Sequence, residues 1–287
     1  MTATARRVLI TGTSSGIGEA TALRLARAGW RVLAGVRSAA DGDRLRAAAG
    51  EQLEPVTIDV TDPATIAAVA TRLGDEPLDG LVNNAGTALA MPLEFLPLDQ
   101  LRGQLEVNLV GHVAVTQALL PNLRTARGRI VNVGSIAGRS ALPFLGAYAA
   151  SKHALEAFTD SLRVELRPFG IAVTVIEPGT IATPIWRKGG ERFRELAAGL
   201  PAELAGLYGE RMAAFRETAA SAGQRAEPAD DVAVVVERAL TAERPRARYV
   251  VGRDARRRAL VERLPAGLRD RVYERVLLGA RGAQGTH

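Results

Sequence analysis

The fold is decided by Thr11-Gly12-Thr13-Ser14-Ser15-Gly16-Ile17-Gly18, which directly follows the short apolar run Arg7–Ile10. Its glycines allow a tight turn and a close approach of the backbone to a ligand. Residues Glu19–Arg27 then carry helical periodicity, so the turn joins a strand to the start of a helix. Free N–H groups and the helix dipole favour a negatively charged ligand at such a start. The stretch therefore predicts a phosphate-binding turn at the edge of a sheet.

Outward from this turn, apolar runs of strand length alternate with stretches of helical period. The strand-like runs are Arg7–Ile10, Arg31–Val36, Pro55–Asp59, Gly80–Val82, Gly128–Val133, Ile171–Ile176 and Arg248–Val251. The helical stretches are Glu19–Arg27, Asp43–Ala49, Pro63–Leu73, Leu98–Leu123, Tyr148–Leu166 and Ala229–Leu240. Apolar strands covered by helices imply a parallel sheet that is buried on both faces. We predict one α/β domain, a doubly wound parallel sheet, over residues 1–252.

Composition excludes several classes of site. The 287 residues are 47% hydrophobic and 24% charged, which argues against disorder, and no run reaches the roughly eighteen apolar residues that a membrane span needs. The absence of cysteine excludes disulfides and thiolate chemistry, and three scattered histidines do not predict a metal site. Because Met1–Arg7 offers no apolar segment, we expect no signal peptide and a cytoplasmic protein.

The net charge of +6 is concentrated at the end of the chain. Residues 241–287 contain twelve arginines against five acidic residues. The remainder of the chain has no basic excess and no nucleic-acid-binding motif, so we expect no nucleic-acid partner. Residues 253–287 are expected to form a basic helical extension with an apolar stripe at Leu268, Val272 and Val276. We expect this stripe to pack on the body or on another subunit, without stable membrane insertion; lying on an anionic membrane is the alternative.

Further motifs follow the glycine turn in order: Asn83-Asn84-Ala85-Gly86, Asn108, Ser135, Tyr148-Ala149-Ala150-Ser151-Lys152, and Pro178-Gly179 with Thr183. Together with the T-G-x-x-x-G-x-G spacing, they resemble the short-chain dehydrogenase/reductase family, in particular its branch with hydroxysteroid and retinol dehydrogenases. The resemblance implies a Rossmann fold and hydride transfer between NADP(H) and a carbonyl or secondary alcohol. It also implies a small-molecule substrate and a homodimer or homotetramer.

The resemblance further implies a catalytic set of Asn108, Ser135, Tyr148 and Lys152. In this set Tyr148 exchanges the proton, Ser135 binds the reacting oxygen, Lys152 holds the nicotinamide ribose, and Asn108 holds a water that relays protons to Lys152. Tyr148 and Lys152 are four residues apart, so they share one face of a helix. A nearby ammonium is expected to lower the tyrosine pKa. His112 and His153 are expected to be packing or surface residues.

The residues expected to bind the cofactor lie at the ends of successive strands. They are Gly12, Ser14, Ser15, Gly16, Ile17, Gly18, Arg37, Asp59, Val60, Asn84, Ala85, Gly86, Tyr148, Lys152, Pro178, Gly179, Ile181 and Thr183. An NAD enzyme carries a carboxylate at the end of the second strand. Here Val36 occupies that position and Arg37 follows, which favours the 2′-phosphate of NADP(H) and makes NAD(H) less expected.

Residues 185–223 interrupt the alternation and are predicted to form a helical lid over a hydrophobic substrate. Trp186, Phe193, Tyr208 and Phe215 provide large apolar surface in this segment. The spacing predicts two short helices broken at Pro201, with Gly189-Gly190 and Gly223 as hinges. The alternative is an apolar face that stays permanently buried in the core or in a subunit interface.

Three other functions are weighed against a steroid-like or retinoid-like ketone as substrate. Reduction of a beta-ketoacyl thioester is the closest alternative. Relatives that epimerise or dehydrate nucleotide sugars share Tyr-x-x-x-Lys, but they differ at the glycine turn and lack Asn-Asn-Ala-Gly. An NADP(H)-binding redox sensor would usually lack the tyrosine and lysine, which are both present here.

Overall fold

The computed structural model describes residues 5–199 and 202–278. Its seven strands are β1 (Arg7–Ile10), β2 (Arg31–Val36), β3 (Leu53–Thr57), β4 (Gly80–Asn83), β5 (Arg129–Val133), β6 (Ala172–Pro178) and β7 (Arg248–Val251). They form one sheet in the order β3-β2-β1-β4-β5-β6-β7, and every pairing is parallel. The predicted doubly wound parallel sheet is confirmed.

Eleven α-helices are formed by the described residues. They are α1 (Gly16–Arg27), α2 (Ala39–Ala49), α3 (Pro63–Leu73), α4 (Leu98–Leu105), α5 (Gly111–Ala126), α6 (Gly146–Glu165), α7 (Ile185–Ala197), α8 (Ala202–Gln224), α9 (Ala229–Thr241), α10 (Arg253–Val261) and α11 (Ala266–Leu278). One π turn, Glu106–Val110, divides the predicted helix Leu98–Leu123. None of the helices within the described ranges is long and apolar enough to cross a membrane.

Two hydrophobic cores lie on opposite faces of the sheet. One packs α1, α2 and α9 against the strands, and the other packs α3, α5 and α6. Burial on both faces explains why the central strands read as continuous apolar runs. The strand order reverses between β1 and β4, and ligands of open parallel sheets bind at the carboxyl ends of the strands beside such a point. The fold therefore directs attention to the turns after β1 and β4.

A ladder of buried polar side chains crosses the centre of the sheet. The Asn83 amide donates to Thr116 Oγ1 (2.9 Å) and to Asn132 Oδ1 (2.9 Å). The Asn132 amide in turn donates to Thr159 Oγ1 (2.8 Å). The ladder joins β4 and β5 to α5 and α6, so polar groups as well as apolar packing fix the place of the helix that carries Tyr148.

The segment after β6 departs from the prediction in two ways. It does form two helices, but α8 is a long helix of 23 residues. Gly189 and Gly190 lie inside α7 and Gly223 lies inside α8, so the prediction that they hinge the ends of the segment is wrong. A Cβ on Gly189 would stand 2.2 Å from the Ala88 carbonyl oxygen, which makes this glycine a point of close packing. Pro201, the predicted break, lies outside the described residues.

The C-terminal extension folds back on the body as α10 and α11. Ala255 and Tyr273 are buried, whereas Leu268 is half exposed at 50%. The buried face of α11 is therefore not the predicted stripe that begins at Leu268. Tyr273, on a different face of the helix, is the residue that enters the interior. The side chain of Val276 and residues 279–287 lie outside the part that the structure describes.

Candidate active site

The glycine turn after β1 presents its backbone to a cleft of about 380 Å³. Gly12 has a positive φ of 69°, and a Cβ on it would stand 2.8 Å from the Ala85 Cα. Ser15 is the N-cap of α1, in an extended conformation and without a side-chain hydrogen bond to the helix. Gly12 thus packs against the loop after β4, while the N–H groups at the start of α1, which have no partner within the helix, lie at the cleft and suit a phosphate.

The Asn-Asn-Ala-Gly motif locks this turn from the neighbouring strand. The Asn84 amide donates to the carbonyl oxygens of Thr11 and Gly12, both at 3.0 Å. Thr11 Oγ1 accepts from the backbone N–H groups of Asn84 and Ala85, both at 3.0 Å. A Cβ on Gly18 would stand 2.2 Å from the Gly12 oxygen and 2.4 Å from Asn84 Nδ2. Gly18 therefore lies behind the turn and acts through packing.

The cleft collects most of the residues expected at the cofactor. Its lining includes Gly12, Ser14, Ser15, Gly16, Ile17, Arg37, Asp59, Val60, Asn84, Ala85, Gly86, Ser135, Tyr148, Lys152, Pro178, Gly179, Ile181 and Thr183. Gly18 and Asn108 are the two predicted residues that do not line it. The cleft begins at the glycine turn, runs along the carboxyl ends of the strands and reaches Tyr148.

At the far end of β2 the cleft has a mixed charge. Arg37 is exposed, and its guanidinium lies 3.9 Å from the Asp59 carboxylate. Hydrogen bonds from Thr61 hold the pKa of Asp59 below its ordinary value, with a smaller contribution from Arg37, although burial acts in the opposite direction. Asp59 is thus an anion beside the exposed Arg37 at this end of the cleft.

The catalytic candidates converge at the other end of the cleft. Tyr148 and Lys152 are buried on the same face of α6, and Ser135 is buried at the end of β5. Lys152 Nζ donates to the Val133 carbonyl oxygen (2.9 Å) and lies 6.0 Å from the centre of the Tyr148 ring. Burial lowers the pKa of Lys152 to about 8, while the charge of Glu156 opposes this effect.

The prediction that Lys152 lowers the tyrosine pKa is wrong for this structure. Burial raises the pKa of Tyr148 above its ordinary value. A hydrogen bond involving Ser135 and the positive charge of Arg258 act in the opposite direction. Tyr148 is therefore a neutral phenol around pH 7, the form that donates a proton. Arg258, on α10, lies far from the motifs in sequence.

Asn108 lies behind the cleft, in the π turn. Its amide donates to the Thr87 carbonyl oxygen (2.9 Å) and to Ser151 Oγ (3.0 Å), and its Oδ1 accepts from the Thr87 N–H (2.8 Å). π turns inside α-helices frequently mark functional sites. The geometry shows Asn108 clamping the loop after β4 to α6, and the predicted water contact stays a prediction.

His112, on α5, supports the same loop from below. The buried ring donates from Nε2 to the Ala85 carbonyl oxygen (2.7 Å), which requires a proton on Nε2. Burial, with the charge of Lys152, lowers the pKa of His112 to about 3. This agrees with the expected packing role. No group of three His, Asp or Glu side chains in residues 5–199 and 202–278 is arranged to hold a metal.

Two contacts that the motifs did not indicate complete the site. Trp186 packs edge-on against Tyr148, with ring centres 5.7 Å apart, and lines the cleft. Asp254, on α10, accepts from the Thr180 N–H (2.7 Å) and hydroxyl (2.8 Å), and so fixes the loop after Pro178-Gly179. The aromatic content of residues 185–223 was the sequence signal for Trp186, whereas nothing local to Asp254 indicated its contact.

Comparisons with known proteins agree with this geometry. Residues 6–192 match the model of the short chain dehydrogenase family. The chain is 39% identical to mouse retinol dehydrogenase 5, over 94% of this chain and 88% of that protein. It is 37% identical to human 17-beta-hydroxysteroid dehydrogenase type 6, over 93% and 87% of the two chains.

Among solved structures, a short chain dehydrogenase from Burkholderia cenocepacia in complex with NADP aligns with a TM-score of 0.72 at 27% identity, covering 95% of this chain and 98% of that one. Residues 6–192, which match the family model, contain all the motifs from the glycine turn to Thr183. The sheet, the glycine turn and the full-length relatives lead to one conclusion: this chain is an oxidoreductase that belongs to the short-chain dehydrogenase/reductase family.

Proposed function

We propose that this oxidoreductase transfers a hydride between NADP(H) and the carbonyl or secondary alcohol of a hydrophobic substrate, such as a steroid-like or retinoid-like ketone. The convergence of Ser135, Tyr148 and Lys152 at one end of the cleft, with the glycine turn at the other, carries the proposal. A cofactor lying along the cleft would place its phosphates on the α1 N-terminus and supply the hydride beside Tyr148.

The proposed roles follow from the protonation states and positions of the side chains. In reduction, the neutral Tyr148 phenol donates its proton to the substrate oxygen while Ser135 donates a hydrogen bond to the same atom. The Lys152 ammonium, held by the Val133 carbonyl oxygen, would hold a ribose hydroxyl of the cofactor. Trp186 covers this end of the cleft and limits the access of water.

Replacing Tyr148 with Phe tests the proton transfer, because it removes one oxygen and keeps the ring. Turnover should fall at least about 100-fold, while the Kd for NADPH should stay unchanged. Ser135→Ala serves as a graded comparison, because it removes only a hydrogen bond to the oxygen. A Tyr148→Phe enzyme that keeps more than about a tenth of the wild-type turnover would show that another group carries the proton.

Preference for NADP(H) is proposed from the end of β2. Val36 leaves no carboxylate there, and the exposed guanidinium of Arg37 is available to a 2′-phosphate. Titration should show NADPH binding at least about tenfold tighter than NADH, and Val36→Asp/Arg37→Ser should reverse the order. Arg31→Ser, at the opposite end of the same strand, is the control for loss of a charge. Equal affinities of the wild type for the two cofactors would exclude the preference.

A hydrophobic substrate is proposed from the cover of the site and from the relatives. Trp186 is 38% exposed and packs beside Tyr148, and Met212 and Phe215 of α8 are buried. Phe215 packs on Phe144 with ring centres 5.5 Å apart. The names of the relatives, retinol and hydroxysteroid dehydrogenases, point to large apolar alcohols. We propose that residues 185–223 act as the lid over such a molecule.

Trp186→Ala tests this cover. The KM for bulky apolar ketones should rise about tenfold, since a large apolar contact is lost, while NADPH affinity should not change. Phe169→Ala removes an exposed aromatic remote from the cleft and is the matched control. A panel of steroids, retinoids, beta-ketoacyl thioesters and small ketones gives the comparison. If the enzyme is most active on small charged substrates and hydrogen exchange is slow throughout α7 and α8, this segment is a fixed part of the fold and does not act as a lid.

We also propose that the enzyme is a homodimer or homotetramer. Leu98 on α4, Val110 in the π turn and Val164 on α6 are exposed apolar residues at 63%, 45% and 68%. Exposed apolar side chains on consecutive helices suit a subunit contact. Sedimentation of the full chain should give a mass of two or four protomers, and Val164→Glu should reduce it. A single protomer mass at all concentrations would contradict the proposal.

A further inference from the structure

The C-terminal extension places a guanidinium against the loop that carries Ser135. Arg258, on α10, donates from Nε (3.1 Å) and from one terminal nitrogen (3.0 Å) to Ser140 Oγ, and that same nitrogen donates to the Ser140 carbonyl oxygen (3.0 Å). Ser140 is completely buried. The guanidinium fork therefore holds both the side chain and the backbone of one residue, which fixes its orientation.

Ser140 and Ser135 are the two ends of one short, rigid loop. Ser135 Oγ accepts from the Ala137 N–H (3.1 Å), and the Ser140 N–H donates to the Ile136 carbonyl oxygen (3.0 Å). Gly138, in the middle, is pressed on α6, because a Cβ there would stand 3.0 Å from the Lys152 carbonyl oxygen. A change in the position of Ser140 would therefore also change the position of Ser135 and the packing of this loop on α6, the helix that carries Tyr148.

A second residue of the extension meets the same point. Tyr273, on α11, is buried and its hydroxyl lies 2.8 Å from Ser140 Oγ and 2.5 Å from Glu262 Oε1. Arg258 has only donors and the Glu262 carboxylate only acceptors, so the hydrogen bonds have one direction. They run from Arg258 to Ser140, from Ser140 to Tyr273 and from Tyr273 to Glu262. Arg258 therefore stands at the start of this series of hydrogen bonds and keeps its positive charge.

The charged and titratable groups around this point are few. Arg258 is faced by Tyr148, Asp254, Glu262 and Tyr273, and Tyr148 is faced by Lys152, Ser135 and Arg258. Asp254 accepts from Thr180, and Glu262 accepts from Tyr273 and Arg269; the negative charges of both acids favour the charged form of Arg258. The positive charge of Arg258 lowers the pKa of Tyr148 against the effect of burial.

We propose that Arg258 is a positioning residue for Ser135 and Tyr148: bound to the side chain and backbone of Ser140, it holds the Ser135–Ser140 loop on α6. This inference rests on the proposed function, in which Tyr148 carries the proton. The extension then supports the active site, because α10 fixes a loop more than a hundred positions earlier in the chain, and the charge of Arg258 favours the ionised form of Tyr148 against the effect of burial. An enzyme lacking α10 would lose proton transfer as well as stability.

The test measures the ionisation of Tyr148 directly. Fluorotyrosine is incorporated at all four tyrosines, which lowers the phenol pKa values into the pH range in which the protein stays folded. Fluorine NMR then follows the titration of each tyrosine. The signal that is missing in Tyr148→Phe is assigned to Tyr148. Arg258→Met should raise the Tyr148 midpoint by about 1 pH unit, because an adjacent cation is removed. Arg258→Lys should restore most of this shift, and Arg257→Met, an exposed neighbour on α10, should leave the midpoint in place.

Activity provides the second measurement. In alcohol oxidation, the pH at which the rate reaches half of its alkaline maximum should rise in Arg258→Met by the same amount as the NMR midpoint. The change in kcat should be larger than the change in the KM for NADP⁺. An unmoved Tyr148 midpoint in folded Arg258→Met, or an equal shift in Arg257→Met, would overturn the inference. Full turnover of Tyr148→Phe would instead overturn the proposed function, and the NMR midpoints would still report whether Arg258 acts on Tyr148.

Discussion

The two ends of the cleft are built by different means. At the cofactor end, backbone groups of the turns after β1 and β4 form the surface, and side chains such as Asn84 act mainly by bonding to that backbone. At the substrate end, the surface is made by side chains from different parts of the chain, namely Ser135 at the end of β5, Tyr148 and Lys152 of α6, and Trp186 of α7. A site made of backbone tolerates almost no added atom, whereas a site made of side chains changes specificity by ordinary substitution.

The strongest test of this contrast adds one carbon to the backbone-built end. In Gly18→Ala the new Cβ would overlap the Gly12 oxygen and Asn84 Nδ2, so the turn must open. We expect the Kd for NADPH to rise at least about 100-fold and the free energy of unfolding to fall by about 3 kcal/mol. Calorimetry and denaturant unfolding measure both quantities. Gly103→Ala on α4, where a Cβ meets nothing within 4 Å, is the control.

The cofactor end should also be the acid-sensitive one, through His112. Its pKa is about 3 when folded and about 6.5 when unfolded, so the unfolded state binds more protons between these values. Stability is fully present above pH 6.5 and is lost as the pH falls. Between pH 7 and pH 5 this residue should contribute a loss of about 2 kcal/mol, which His112→Gln should remove. An identical pH slope in the variant would show that other groups dominate.

The smallest effects are expected in the cover, at two adjacent glycines of α7. Gly189→Ala forces a Cβ onto the Ala88 carbonyl, and α7 should shift at a cost of about 1–2 kcal/mol. Gly190→Ala meets nothing within 4 Å and should stabilise the helix by about 0.5–1 kcal/mol. Neither change should alter the Kd for NADPH. The free energy of unfolding should fall for Gly189→Ala and rise for Gly190→Ala, and the substrate KM should change only for Gly189→Ala. This result would show that the cover acts on the substrate end of the cleft and not on the cofactor end.

How much the sequence predicts follows the same division. The strands, and the gathering of the glycine turn and Asn84-Ala85-Gly86 in one cleft, were predictable because these are local patterns with fixed consequences for the backbone. The contacts of Asp254 and Arg258 were not, because they depend on how α10 returns to the sheet. The pKa of Tyr148 was misjudged for a related reason: spacing on α6 places Lys152 nearby, but it does not reveal how strongly both groups are buried.

The buried ladder from Asn83 through Asn132 to Thr159 has a consequence for how the chain folds. Parallel strands of similar apolar sequence can pair in several registers, and a slip by one residue turns every side chain to the opposite face. A slipped β4–β5 pair would leave two amides without partners in an apolar layer, at a cost of about 1–3 kcal/mol each. The ladder thus destabilises chains in which β4 and β5 pair in a shifted register, and so favours the correct register before the cleft forms.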